Sequence, residues 1–97
     1  MSTLHVLSHS PFGDSRLHSC LRVIGADDAL LLTGDAVYAL QANTAPFTAL
    51  NTRHLKLFVL AEDAQARALE VPGTATAIDY PAFVELSIHY DKVNSWL

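Results

Sequence analysis

Charge is scarce in this chain. Asp, Glu, Lys and Arg make up 16% of it, against about 25% in an average soluble domain. Six Lys and Arg stand against ten Asp and Glu, giving a formal net charge of −4. There is no basic run, and the one local cluster is Arg53, His54 and Lys56. Direct, tight nucleic-acid binding by this chain alone is therefore not expected, because such binding draws its affinity from neutralised phosphates. Cysteine is scarcer still: Cys20 stands alone. A lone cysteine excludes an internal disulfide, dithiol redox chemistry and most zinc sites. Secreted domains of this size usually carry several. The opening residues 1–8 lack the charged region and long apolar stretch of a signal peptide. No apolar run approaches the roughly 20 residues of a membrane span. A cytoplasmic chain with no membrane association is expected. The four glycines, Gly13, Gly25, Gly34 and Gly73, are isolated. The usual glycine-rich dinucleotide and phosphate cradles are thus missing, and neither a cofactor nor a metal is expected.

Apolar residues are plentiful, at 51% of 97 residues. That length allows a single domain, 1–97, which buries only about 60–65% of its unfolded surface and is marginal alone. Few charges on a small domain suggest either a generous core or an apolar surface covered by a partner.

Short apolar runs alternate with helix-like segments. Leu4–Leu7 reads as a first strand, ended by turn chemistry at Ser8–Gly13. Asp14 or Ser15 then caps a helix to about Ile24, stopped by Gly25. Asp28–Thr33, with its run of three leucines, suits a strand buried on both faces. Asp35–Leu40 reads as helical, with Val37 and Tyr38 leaving a strand open, and 43–52 reads as a loop or short helix with Pro46 near its start. Leu55–Leu60 is the clearest strand, with a helix expected over Asp63–Leu69. Thr76–Ile78 is a short fourth strand. Asp79 caps a last helix with Pro81 in its first turn, and Phe83, Leu86 and Tyr90 share one face with Val84 and Ile88 beside them. Trp96 is costly to leave in water and should dock on this chain or a partner. The alternation predicts an α/β fold, a small three-layer domain with a mainly parallel sheet of four to five strands and helices on both faces. Ligands in such sheets sit at the carboxyl ends of the strands. Here that edge carries Ser8–Gly13, Thr33–Asp35, Ala61–Asp63 and Asp79–Tyr80.

Few residues offer chemistry. His5 and His9 could approach each other near the first strand, but a metal needs a third ligand. Asp27–Asp28 and Glu62–Asp63 are adjacent pairs whose side chains point apart, which suits capping and solvation better than an acid/base dyad. Cys20 shares an apolar helical stripe with Leu17, Leu21 and Ile24. Such a stripe argues for a buried, inert thiol, while Arg16, His18 and Arg22 nearby could activate it.

The chain resembles the TusB/DsrH family, subunits of the DsrE/DsrF/DsrH-type sulfur-relay proteins. The likeness runs from Leu4-His5 through Ser10-Pro11 and the helix bearing Cys20. It continues through Leu30-Leu31-Leu32 and Gly34–Ala39, where the family usually shows Asp-Gly, and on through Leu55–Asp63 with Ala66-Arg67. It closes with Ile78-Asp79-Tyr80, Phe83-Val84 and Trp96. The resemblance implies a DsrE/F/H-like, flavodoxin-like domain. It implies a non-principal subunit of a sulfurtransferase complex that passes persulfide sulfur toward 2-thiolation of the tRNA wobble uridine. The partners implied are TusC/DsrF-like and TusD/DsrE-like sister subunits in a heterohexamer, the TusD/DsrE type carrying the main acceptor cysteine. Cys20 is then an auxiliary persulfide site at most, and members of the TusB branch can lack it. Three alternatives stay open at this point: an independent persulfide carrier through Cys20, a DsrH-type subunit in sulfur oxidation, or a regulatory flavodoxin-like interaction module with no sulfur role. A homodimer in isolation, reusing surface meant for sisters, also stays open.

Overall fold

The computed structural model of the chain describes residues 2–53 and 55–96. Met1, His54 and Leu97 lie outside the described residues, and with His54 one member of the basic cluster. Five strands, β1 (Thr3–Leu7), β2 (Ala29–Leu32), β3 (Lys56–Leu60), β4 (Ala75–Ile78) and β5 (Lys92–Trp96), form one sheet in the order β4-β3-β2-β1-β5. Every pairing is parallel. β2, the apolar run, is wholly buried on both faces, as a central parallel strand must be.

The helices divide unequally. α1 (Arg16–Val23), a 3-10 segment (Gly34–Leu40), α2 (Ala45–Asn51) and α3 (Ala61–Ala66) lie between strands taken in spatial order, and α4 (Tyr80–His89) precedes β5. The first four bury Leu17, Cys20, Leu21, Val37, Leu40, Leu50 and Ala64 against Leu7, Leu30, Leu32, Leu57 and Val59. α4 alone covers the other face, setting Phe83, Leu86 and Tyr90 against Leu4, Leu31 and Phe58. The topology explains the imbalance. β1 to β4 step in one direction across the sheet, so right-handed crossovers leave their helices on one face. The connection from β4 to β5 returns across the whole sheet and delivers its helix to the other. A ten-residue helix is about 15 Å long. Five strands at about 4.8 Å spacing span about 19 Å, before helix width is set against strand length. One helix cannot cover that face.

Five strands fall within the expected four to five, while the placement and bounds of several elements differ from expectation. A fifth strand occupies the tail: its residues are largely exposed at a sheet edge, so no buried apolar pattern marks it. The segment after β2 is helical, as expected, and of the 3-10 type. α3 starts directly at Ala61 and ends at Ala66, because the chain turns through Ala68 with φ of 54°. α1 ends at Val23, and Ile24 is already extended. Gly25 keeps a negative φ, so it is no left-handed stop. Its N–H donates to Asp28 Oδ2 (2.8 Å). At the start of α1, Asp14 rather than Ser15 supplies the acceptor, taking the Arg16 N–H (3.0 Å). Thr44 and Asp79 cap α2 and α4 through Phe47 and Ala82.

Candidate functional site

The carboxyl edge of the sheet is tied together rather than open. Gly34 turns the chain out of β2 with φ of 50°, and a Cβ there would lie 3.3 Å from the Ser8 carbonyl oxygen. Its N–H donates to Asp63 Oδ2 (2.8 Å), and Thr33 Oγ1 donates to the Leu7 carbonyl (2.9 Å). Arg67 donates from Nε and Nη2 to Asp35 Oδ1 (3.1 and 2.9 Å) and from Nη1 to the Asp63 carbonyl (3.1 Å). The same guanidinium stands 5.9 Å from the Tyr38 ring centroid. Hydrogen bonding to Asp35 raises the Arg67 pKa further. These groups use up one another's polar capacity, which is the mark of a joint between β2, the 3-10 segment and α3.

A separate cleft of about 420 Å³ is floored by Leu17 and Leu21 and rimmed by Phe12, His18 and Pro46. Its walls are mainly apolar. Phe12 is 57% exposed at its mouth. Asp14 lines it too but is paired with Arg16, and this pairing, the Arg16 backbone bond first, holds the Asp14 carboxyl below its ordinary range.

Cys20 lies under α1, away from that cleft. Its exposure is 0%, and Leu17 and Leu21 share its buried stripe. Burial, with the Asp28 charge adding to it, pushes the thiol up to about 12. Arg16, His18 and Arg22 do not offset that. His5 and His9 have separate partners: Ser8 contacts the exposed His9 (3.4 Å), while His5 is buried. Among the described residues, no cluster of three or more His, Cys, Asp or Glu could hold a metal ion. Asp27 is exposed and Asp28 turns inward, so the adjacent carboxylates do diverge.

The structure does assemble one polar network that the residues, read singly, did not announce. Trp96 Nε1 donates to His5 Nδ1 (3.1 Å), and His5 Nε2 lies 3.2 Å from Asp28 Oδ2. Asp28 Oδ1 also accepts the Thr3 N–H (2.9 Å). Burial would raise the Asp28 carboxyl, but the Gly25 and Thr3 N–H bonds and His5 together lower it. The sequence signal was present in Trp96, whose indole N–H can only donate and must find an acceptor once docked.

The outer side of α4 is the remaining feature. Tyr80, Val84 and Ile88, at successive i+4 positions, are 52%, 56% and 78% exposed, and Val93 of β5 is 43% exposed. Phe83, Leu86 and Tyr90 already use the opposite side. A surface helix ordinarily turns polar residues outward, and this row of exposed apolar side chains departs from that.

The DsrH like protein family model matches residues 9–93. The chain is 36% identical to Protein TusB of Erwinia tasmaniensis and 33% identical to Protein TusB of Yersinia enterocolitica, in both cases over 95 residues, 96% of this chain and 99% of the relative. Its fold is similar to that in the crystal structure of the ychN protein from E. coli, with a TM-score of 0.77 over 99% of this chain and 100% of that one. At 16% identity that likeness speaks for the fold alone. No helix among the described residues is long and apolar enough to cross a membrane. On the family match and the full-length relatives, the chain belongs to the DsrH-like family that includes the TusB proteins.

Proposed function

We propose that this chain is an assembly subunit of a cytoplasmic sulfur-relay complex that carries persulfide sulfur toward 2-thiolation of the tRNA wobble uridine. Its partners are a TusC/DsrF-like and a TusD/DsrE-like subunit, together a heterohexamer. The observation that carries this reading is the exposed row Tyr80, Val84 and Ile88 on a helix whose other side is already packed. Contiguous apolar surface of this kind marks a protein interface. The burial of Cys20 supports the same division of labour: the sulfur sits on a sister chain, and this chain shapes and stabilises the assembly. A carrier working through Cys20 would first have to open the α1 core. The sulfur-oxidation reading rests on the presence of Cys20 in the first helix, and the same burial weakens it.

The test is affinity purification of the tagged chain from its native host, followed by mass spectrometry. Two small α/β partners are expected with the wild type and are expected to be lost with Ile88→Asp. That variant places a carboxylate on a residue that is already mostly exposed, so the fold is retained. Undiminished partner recovery with Ile88→Asp and Val84→Asp removes α4 from the interface.

A further inference from the structure

The last strand is anchored by a side-chain chain that crosses three strands. Trp96 on β5, His5 on β1 and Asp28 at the entrance to β2 are joined by two hydrogen bonds, of 3.1 and 3.2 Å. Chemistry fixes the protons. Indole Nε1 carries a hydrogen and can only donate, so His5 Nδ1 must present its lone pair. The ring proton of neutral His5 then sits on Nε2 and points at the Asp28 carboxylate. Adding a second proton to the ring can only place it on Nδ1, facing the indole N–H. That converts a hydrogen bond into an opposition of two donors. Asp28 tolerates the change, since the imidazolium makes a charge-assisted bond to it. Trp96 does not.

We propose that His5 is a proton-operated latch on β5: the neutral ring holds Trp96 against the sheet, and the imidazolium releases it. His5 is 5% exposed, so the opposition is not relieved at the imidazole; Trp96 is part-buried, and its indole N–H regains a partner by turning out to water. β5 keeps its backbone ladder with Thr3–Leu7 but loses its side-chain anchor at the Leu7 end.

Other titratable and charged groups lie around this network. Asp28 is held below its ordinary range. Cys20 of α1 is pushed up to about 12 and Tyr90, which ends α4, is raised too; both feel the Asp28 charge after burial. Arg53 shares a small cavity with Asp28, and Lys92 is the exposed neighbour of Thr3 on β5. Both stay cationic. Of side chains in their ordinary state, only histidine changes charge between about pH 5 and pH 8.

The chain has a single tryptophan, so Trp96 reports on itself. In the full chain, acidification from about pH 8 to about pH 5 is expected to shift Trp96 emission to the red and to move the single indole N–H resonance. His5→Asn, whose amide oxygen accepts without titrating, is expected to abolish both changes. The same transition in folded His5→Asn, or none in the wild type, overturns the proposal. Should His5→Asn fail to fold, ¹⁵N-histidine spectra of the wild type decide. The Nε2–H tautomer at high pH, titrating with the same midpoint as the indole signal, supports the latch. The Nδ1–H tautomer, or unlinked midpoints, refutes it. Labelling only this chain keeps the readout clean when it is bound to partners.

Discussion

Cys20 is shielded by the apolar side chains of its own helix stripe, and its chemistry follows from that. With the thiol pushed up to about 12, only on the order of one molecule in 100,000 is a thiolate near neutrality, and the thiolate is the reactive form. The native protein is expected to resist maleimide and to label fully once denatured, as read by intact mass. Rapid stoichiometric labelling of the native protein would contradict the burial. Cys20→Ser buries a hydroxyl among leucines and is expected to cost about 1–3 kcal/mol in denaturant unfolding. Gly34 makes a second residue-scale case. Its positive φ and the Ser8 carbonyl 3.3 Å from an added Cβ both oppose a side chain. Gly34→Ala is expected to destabilise by about 1–2 kcal/mol. A neutral or stabilising Gly34→Ala would show that the corner relaxes without cost.

The stripe on α1 was legible from its spacing, since Leu17, Cys20 and Leu21 fall on one side and are buried as expected. α4 was legible only as a helix. When nearly every turn offers an apolar residue, periodicity does not say which stripe faces the sheet, and Val84 and Ile88 turned outward. β5 was not legible at all as a strand. Lys-Val-Asn-Ser-Trp is an exposed edge whose pairing comes from β1 and whose anchor comes from His5. No local pattern encodes such support. The loop before β2 depends on the same network. Asp28 accepts from the Thr3 and Gly25 N–H groups and from His5, so Asp28→Ala leaves three donors without their acceptor. A loss of about 2–3 kcal/mol is expected in chemical unfolding, and a loss well under 1 kcal/mol would show that water replaces the carboxylate. The sign of the acid dependence follows from the lowered Asp28 value. The contribution is fully present above the unfolded carboxylate value, about pH 4. It disappears as the pH falls through the lower folded value. Thermal melts in acid should therefore separate wild type from Asp28→Ala less than melts at neutrality do.

At the scale of the molecule, the class of fold was carried by the alternation of apolar runs and capped helices. The unequal dressing of the sheet was not, because it follows from strand order, and strand order is set by tertiary pairing. The shortage of charge noted in the composition acquires a location once α4 is placed. Its outer side carries Tyr80, Val84 and Ile88 in a row, while the joint of Asp35, Asp63 and Arg67 on the opposite layer is already satisfied. Segments far apart in the chain that carry the family resemblance prove to be one another's contacts: Gly34–Asp35 meets Asp63 and Arg67, and Leu4-His5 meets Trp96. They hold the domain together, which suits a subunit whose contribution is its shape. We propose that sulfur travels on a partner while this chain supports the assembly. The most direct test is mass spectrometry of the intact purified complex after exposure to a persulfide donor. This chain with two sister subunits, a gain of sulfur on a sister chain and an unmodified Cys20 are expected. A solitary chain carrying the added sulfur on Cys20 would overturn that division of labour.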